Sequence, residues 1–155
     1  MRGMSLFMML VLLPIILLML ILAFYEGRKA YWDYRVNDMC EEDGGVQVFE
    51  TVQISKEQFL AWGGVGDMPN IPFESEKRLD VPFFKRRQFD VIHSWAPRVT
   101  RTKTTFIRRN DNMILGIYVY YSRRGGDFPS WAHPSSLSCS NPKTQVEKHI
   151  IVIKE

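Results

Sequence analysis

The chain has 155 residues with a formal net charge of +3, and 13% of its residues are aromatic. This length allows one domain with one core beside a short N-terminal segment. The aromatic content excludes a fully disordered chain, and no internal repeat is present.

Charge is distributed unevenly along the chain. Residues 30–76 carry ten acidic and two basic side chains, whereas residues 77–124 carry twelve basic and three acidic ones. Such a division is typical either of two surfaces that seek partners or of two halves that fold against each other and neutralise their charges.

The first predicted element is a membrane-spanning helix at residues 6–25. No charge interrupts this apolar run, and twenty helical residues span roughly 30 Å, the thickness of a bilayer's hydrocarbon core. Pro14 is tolerated in such a helix, and Tyr25, Tyr31 and Trp32 suit the membrane interface. A cleaved signal peptide is the alternative, but its apolar region is normally shorter. We therefore expect an uncleaved signal-anchor at residues 1–29.

Two features of the sequence conflict over which side of the membrane carries the domain. Arg28, Lys29 and Arg35 follow the apolar run, and the positive-inside rule then favours a cytoplasmic domain. Cys40 and Cys139 nearly bracket the rest of the chain and suggest a disulfide, which persists outside the cytoplasm. We give the cysteines more weight, and expect residues 30–155 to be an extracytoplasmic strand-rich domain that this disulfide closes.

The remaining elements predict a small α+β domain. Residues 26–39 are expected to continue the helix or to form a juxtamembrane stalk. Residues 46–54 alternate as a strand, and Ser55 with Gln58 forms a capping box that opens a short helix to Trp62. Residues 63–82 form a loop. Further strands are expected at 87–95, 98–109, 113–123 and 146–153, with a hairpin turn at residues 110–112. The fold class is thus α+β: an N-terminal transmembrane helix, then a mostly antiparallel sheet with one short helix.

Four short strings stand out in the soluble part of the chain. They are Cys40-x-x-Asp43-Gly44-Gly45, Val48-Phe49-Glu50-Thr51-Val52, Tyr121-Ser122-Arg123-Arg124-Gly125-Gly126-Asp127-Phe128-Pro129 and Trp131-x-His133-Pro134-Ser135-Ser136-Leu137-Ser138-Cys139. In these strings the chain resembles a family of short, uncharacterised bacterial membrane-anchored proteins and lipoproteins. The resemblance covers about residues 38–140. It implies a bacterial source and an envelope location, and it implies no reaction. Together with the orientation expected from the cysteines, it predicts an inner-membrane protein with its domain in the periplasm.

An arginine-flanked glycine turn is the strongest candidate binding feature. Its backbone N–H groups can hold an anion, and guanidinium groups match phosphate or carboxylate. The alternative is that the arginines pair with acidic residues such as Glu41, Glu42 and Asp43. If the hairpin turns as expected, the predicted anion-binding residues are Arg98, Arg101, Arg123, Arg124, Gly125 and Gly126.

Other chemistry has weaker support. His93, His133 and His149 have no ligand-type partners at zinc spacing, so we predict no metal or other cofactor. Ser135 and Ser136 lack the elbow motif that exposes a nucleophile. No nucleic-acid-binding motif is present, and we predict no nucleic-acid partner.

Three functional hypotheses remain from the sequence. The first is a non-enzymatic module, anchored in the bilayer by residues 6–25, that binds an envelope protein or an anionic envelope component. The second is an envelope enzyme that acts on an anionic glycan or lipid, with His133 as its acid or base. The third is a cytoplasmic domain that binds anionic lipid.

Overall fold

The computed structural model describes residues 2–65, 69–128, 134–139 and 146–154, and it confirms the α+β fold class. Its elements in chain order are α1 (Arg2–Glu42), β1 (Gly45–Val48), β2 (Val52–Ser55), α2 (Lys56–Ala61), a 3-10 turn (Glu74–Glu76), β3 (Phe83–His93), β4 (Arg98–Arg108), β5 (Ile114–Arg124), β6 (Ser136–Ser138), α3 (Val146–Ile150) and β7 (Ile151–Lys154). A five-stranded antiparallel sheet has the order β1-β5-β4-β3, with β6 paired to β5, and a separate parallel sheet contains β2 and β7.

Helix α1 is continuous from the apolar segment into the folded domain. Its 41 residues give a length of roughly 60 Å. The apolar window has a mean hydropathy of 2.9 and is not buried against the rest of the chain, so by length and composition this helix can cross a membrane. The predicted boundary between residues 29 and 30 lies inside the helix rather than at a linker.

The predicted hairpin is confirmed as β4 and β5. The two strands pair antiparallel from Arg98 opposite Arg124 to Ile107 opposite Ile114. Asn112 has a φ of 56°, a conformation that asparagine tolerates better than most residues. The Asp111 carboxylate accepts a hydrogen bond from the Met113 backbone N–H at 3.2 Å, which stabilises the turn.

The expected strand at residues 46–54 is wrong as a single strand. It divides into β1 and β2, which belong to different sheets. Between them the N–H groups of Phe49 and Glu50 both donate to the carbonyl of Leu115, at 2.8 and 3.1 Å. The Glu50 side chain accepts a 2.7 Å hydrogen bond from Arg108. These contacts turn the chain out of the main sheet.

The predicted capping box is present. The Ser55 hydroxyl accepts a hydrogen bond from the Gln58 N–H at 3.2 Å, and the Gln58 side chain accepts one from the Ser55 N–H at 3.1 Å. Helix α2 therefore begins at Lys56 and ends at Ala61. It buries Phe59 in the core.

Two other boundaries differ from the prediction. The strand expected at 87–95 begins at Phe83 and ends at His93, because Phe83 and Phe84 are buried in the sheet. The strand expected at 146–153 begins instead as α3 and becomes β7, which pairs parallel with β2. Ile150 at the end of α3 is fully buried against Gly116, where any side chain would collide with it.

Two apolar clusters flank the main sheet. The larger one joins the sheet to α2, α3, β2 and β7 through residues such as Phe59, Phe106 and Leu115. The smaller one lies between α1 and the opposite face of β4 and β5, and consists of Val36, Val99, Val119 and Tyr121. Because successive side chains of a strand point to opposite faces of the sheet, the same strands contribute apolar residues to both clusters. The second half of α1 is therefore part of the core.

The predicted disulfide joins Cys40 of α1 to Cys139 after β6. The two residues are 99 positions apart, so the bond closes a loop that contains most of the domain. In the chain-entropy account, a loop of this length stabilises the folded state by about 4–5 kcal/mol.

Replacing both cysteines by alanine is therefore expected to lower the free energy of unfolding by about 4 kcal/mol. Denaturant unfolding of the full chain in detergent micelles measures this change. Wild-type protein with and without reductant is the control, because reduction should give a similar loss. Equal unfolding midpoints in all samples would contradict a stabilising disulfide.

Candidate functional site

Ion pairs hold the second half of α1 against the end of β5. Lys29 Nζ lies 2.5 Å from Asp127 Oδ1, and the Asp33 carboxylate accepts a hydrogen bond from Arg123. Arg123 is only 2% exposed, and its guanidinium also donates to the carbonyl of Gly125 and, at 3.2 Å, to the Ser135 hydroxyl. A buried arginine with these acceptors is a structural group that fixes the helix on the sheet.

Asp127 closes the turn that follows β5. Its carboxylate accepts hydrogen bonds from Lys29, from the Ser135 N–H at 2.6 Å and from the Ser135 hydroxyl at 2.9 Å. These donors, Lys29 first, hold the pKa of Asp127 well below its usual range, and the hydrogen bond to Asp127 raises the pKa of Lys29. Both groups are therefore charged at neutral pH.

A second polar cluster joins the end of α1 to β4 and β5. The Asp43 carboxylate accepts hydrogen bonds from Arg101 and from the Tyr121 hydroxyl, each at 2.7 Å. Burial acts to raise the pKa of Asp43, but these two hydrogen bonds outweigh it and the net pKa is below its usual value. Burial, and then the bond to Asp43, raise the pKa of Tyr121.

The four arginines of the predicted anion site divide between the two faces of the sheet. Arg98 and Arg124 are Cα partners across the hairpin, and both are exposed. Arg101 and Arg123 point to the α1 face, where they pair with Asp43 and with Asp33. The structure therefore brings Arg98 and Arg124 together and engages the other two with α1.

The two glycines of that predicted site have positive φ angles, 79° at Gly125 and 95° at Gly126. The Gly125 N–H donates to the Ser135 carbonyl at 2.9 Å, so this amide has an internal partner. Gly126 packs on Pro97, and an ideal Cβ there would lie 2.9 Å from the Pro97 Cβ. The glycines thus allow the turns after β5 and before β4 to touch. Anion binding by these residues stays a prediction.

The turn between β3 and β4 is fixed by a histidine. His93 Nδ1 lies 2.9 Å from the carbonyl oxygen of Trp95 and 2.8 Å from that of Pro97. Because both partners accept hydrogen bonds, Nδ1 carries the proton. The His93 ring packs against Trp32 of α1, with ring centroids 4.4 Å apart. The turn at 94–97 is therefore held near α1, while the Trp95 side chain is 74% exposed.

Strand β3 forms one outer edge of the main sheet. Residues 86–92, named here the β3 edge, are all exposed and include Phe89, Val91 and Ile92. The Lys85 N–H donates outward to the Pro72 carbonyl at 2.9 Å. Because amides alternate sides along a strand, those of Arg87 and Phe89 also point away from β4. The β3 edge thus offers backbone donors and apolar side chains together.

A shallow groove adjoins the start of the β3 edge. Within it, Arg86 pairs with Glu74 at 2.7 Å, and the Arg87 guanidinium carbon lies 4.7 Å from the centroid of the Phe73 ring. No carboxylate among the described residues pairs with Arg87. The groove has a volume of about 200 Å³ and is lined by Phe73, Glu74, Ser75, Lys85, Arg86 and Arg87.

Within the described ranges, no three His, Cys, Asp or Glu side chains are grouped so that they could hold a metal ion. The suggested acid or base of the enzyme hypothesis, His133, lies outside the described residues. Comparisons with protein-family models, curated proteins and solved structures find no match to this chain.

The docking of α1 and the β3 edge were both missed at the sequence level. The sequence does contain a pattern that indicates the docking of α1. Trp32, Val36 and Cys40 are spaced by four residues and so form one helix face. No comparable pattern indicates that the β3 edge is exposed. Alternating apolar residues in a strand do not reveal whether another strand covers its edge.

Asp33→Ala is expected to lower the free energy of unfolding by about 3 kcal/mol, because it leaves the buried Arg123 charge without its carboxylate. Asp38→Ala is the matched control on the same helix. Its partner Arg35 is exposed, so that change should cost less than about 1 kcal/mol. Denaturant titration in micelles compares the two, and similar small losses would contradict the structural role of Arg123.

Proposed function

We propose that this protein is a non-enzymatic interaction module of the bacterial envelope, anchored in the inner membrane with its domain in the periplasm. The observation that carries the proposal is an exposed β3 edge on a domain without a flexible linker to its anchor. Helix α1 continues from the apolar segment into the core. The β3 edge is consequently held at a fixed height and orientation relative to the bilayer.

The proposed occupant of the β3 edge is an extended segment of a partner protein. Addition of a strand to an open sheet edge uses main-chain hydrogen bonds for affinity and side-chain pockets for selectivity. The outward backbone N–H groups of Arg87 and Phe89 can donate these main-chain hydrogen bonds. Arg87, beside Phe73, favours an acidic side chain in the groove, and Phe89 and Val91 favour apolar neighbours.

A second copy of this chain fits the edge less well. Strand β3 runs towards the membrane, because His93 at its end packs beside Trp32 in the first turns after the apolar segment. Symmetric antiparallel pairing of two β3 strands would direct their two anchors in opposite directions. Two copies in one membrane cannot pair in that way, which favours a different protein as partner.

The periplasmic orientation rests on the disulfide, since such bonds rarely persist in the cytoplasm. Intact cells treated with a membrane-impermeant maleimide are expected to label Cys40 and Cys139 only after reduction. Labelling that requires lysis but no reduction would place the domain in the cytoplasm. A chain with both cysteines replaced by alanine controls for background labelling.

A photo-crosslinking residue at position 91 is expected to give one discrete adduct in intact cells. Phe89→Pro should abolish this adduct, because proline removes an outward N–H while sparing the β4 ladder. Phe89→Ala should only weaken it, because the backbone donor remains. Position 79 is the matched control, since Leu79 is exposed but lies away from the edge.

An adduct that forms equally from positions 79 and 91 would contradict the proposal. So would an adduct that persists unchanged in Phe89→Pro. The fold of each variant is checked by its unfolding midpoint and by retention of the Cys40–Cys139 disulfide. These controls separate loss of the partner contact from loss of the domain.

A further inference from the structure

One end of the domain lies beside the point where α1 leaves the apolar segment. The ring of Tyr25, the last residue of the apolar run, lies 5.1 Å from the ring of Phe128. One turn further along α1, Lys29 pairs with Asp127 at 2.5 Å. The turn after β5 is therefore at the level where the polar part of the helix begins.

The turn between β3 and β4 lies at the same end. Gly126, in the turn after β5, packs directly on Pro97. His93 is level with Trp32, which is seven residues beyond Tyr25, or roughly 10 Å along the helix. Trp95 belongs to this turn, which the contacts of His93 Nδ1 with the carbonyls of Trp95 and Pro97 hold in place. Trp95 therefore lies at the same end of the sheet as Gly126 and the turn after β5.

The exposed side chains at this end are aromatic and basic. Trp95 is 74% exposed and Phe128 is 42% exposed. Arg98 and Arg124 are exposed Cα partners, and neither forms an ion pair with any residue that the structure describes. Aromatic rings favour the headgroup region of a bilayer, and arginines beside it attract anionic lipids.

We infer that this end of the domain, formed by Trp95, Arg98, Arg124 and Phe128, lies in the headgroup layer of the bilayer that α1 spans. Trp95 and Phe128 insert at the boundary with the acyl chains. Arg98 and Arg124 bind the phosphates of anionic headgroups. The occupant is this bilayer because the anchor itself brings the surface there, as the contact between Tyr25 and Phe128 indicates.

This inference is independent of the partner proposed for the β3 edge. It requires only that α1 spans a membrane, and it applies to either orientation of the chain. The four side chains lie at the end of the sheet, whereas Arg87 and Phe89 lie further along β3. A failure of one proposal would therefore leave the other unaffected.

The test uses the full chain reconstituted in vesicles that contain phosphatidylcholine with brominated acyl chains, with or without phosphatidylglycerol. Bromine quenches tryptophans that lie at the boundary of the acyl chains. The difference in quenching between wild type and Trp95→Phe reports Trp95 alone. That difference is expected to be large, and larger with phosphatidylglycerol, whereas Trp62→Phe should leave the quenching of the remaining tryptophans unchanged.

Arg98→Gln combined with Arg124→Gln should remove the dependence on phosphatidylglycerol. The matched control, Lys56→Gln combined with Lys77→Gln, makes the same change in charge at exposed positions elsewhere and should preserve that dependence. Trp95 emission that brominated lipid does not quench would overturn the inference. Equal dependence on phosphatidylglycerol in the two double variants would overturn the binding of anionic headgroups.

Discussion

The structure depends on the contact between the second half of α1 and the main sheet. Val36 is fully buried there, beside Val99 and Val119, and the buried Arg123 guanidinium is neutralised by Asp33. Without this contact, one face of the sheet would lose its apolar cover and Arg123 would lose its carboxylate partner Asp33. The same contact joins the apolar N-terminal part of α1 to the domain.

The docked helix changes what an anchored domain can do. A domain on a flexible linker samples many orientations, and its surface is available to partners in every direction. Here the Cys40–Cys139 bond and the pairs made by Lys29 and Asp43 fix α1 along its docked length. The sheet therefore keeps a fixed orientation relative to α1.

Sequence reasoning succeeded where a short local pattern determines the structure. The capping box of Ser55, the hairpin turn at Asn112 and the apolar length of the anchor each depend on a few neighbouring residues. It failed where a group far away in the sequence determines the local structure. Residues 46–54 alternate like one strand, yet the carbonyl of Leu115, far along the chain, captures two of their amides and divides them between sheets.

The candidate anion site shows the same limit at the level of side chains. The predicted hairpin brings the end of β5 beside the start of β4, and its register sets Arg98 opposite Arg124. Adjacent residues in a strand, however, point to opposite faces. Arg123 and Arg124 are neighbours in sequence, but one is buried beneath α1 and the other is exposed. The position of α1 had to be known before the four arginines could be assigned to structural and exposed roles.

The β3 edge presents a physical problem that the anchor partly solves. An exposed edge strand with Phe89, Val91 and Ile92 invites pairing with other chains and thus aggregation. The flanking charges of Arg86, Arg87 and Asp90, and the irregularity between Val91 and His93, oppose this. If α1 spans a membrane as proposed, copies in that membrane present parallel β3 strands, which cannot form the symmetric antiparallel pair. An edge that is protected from self-pairing in this way can remain open to a different strand.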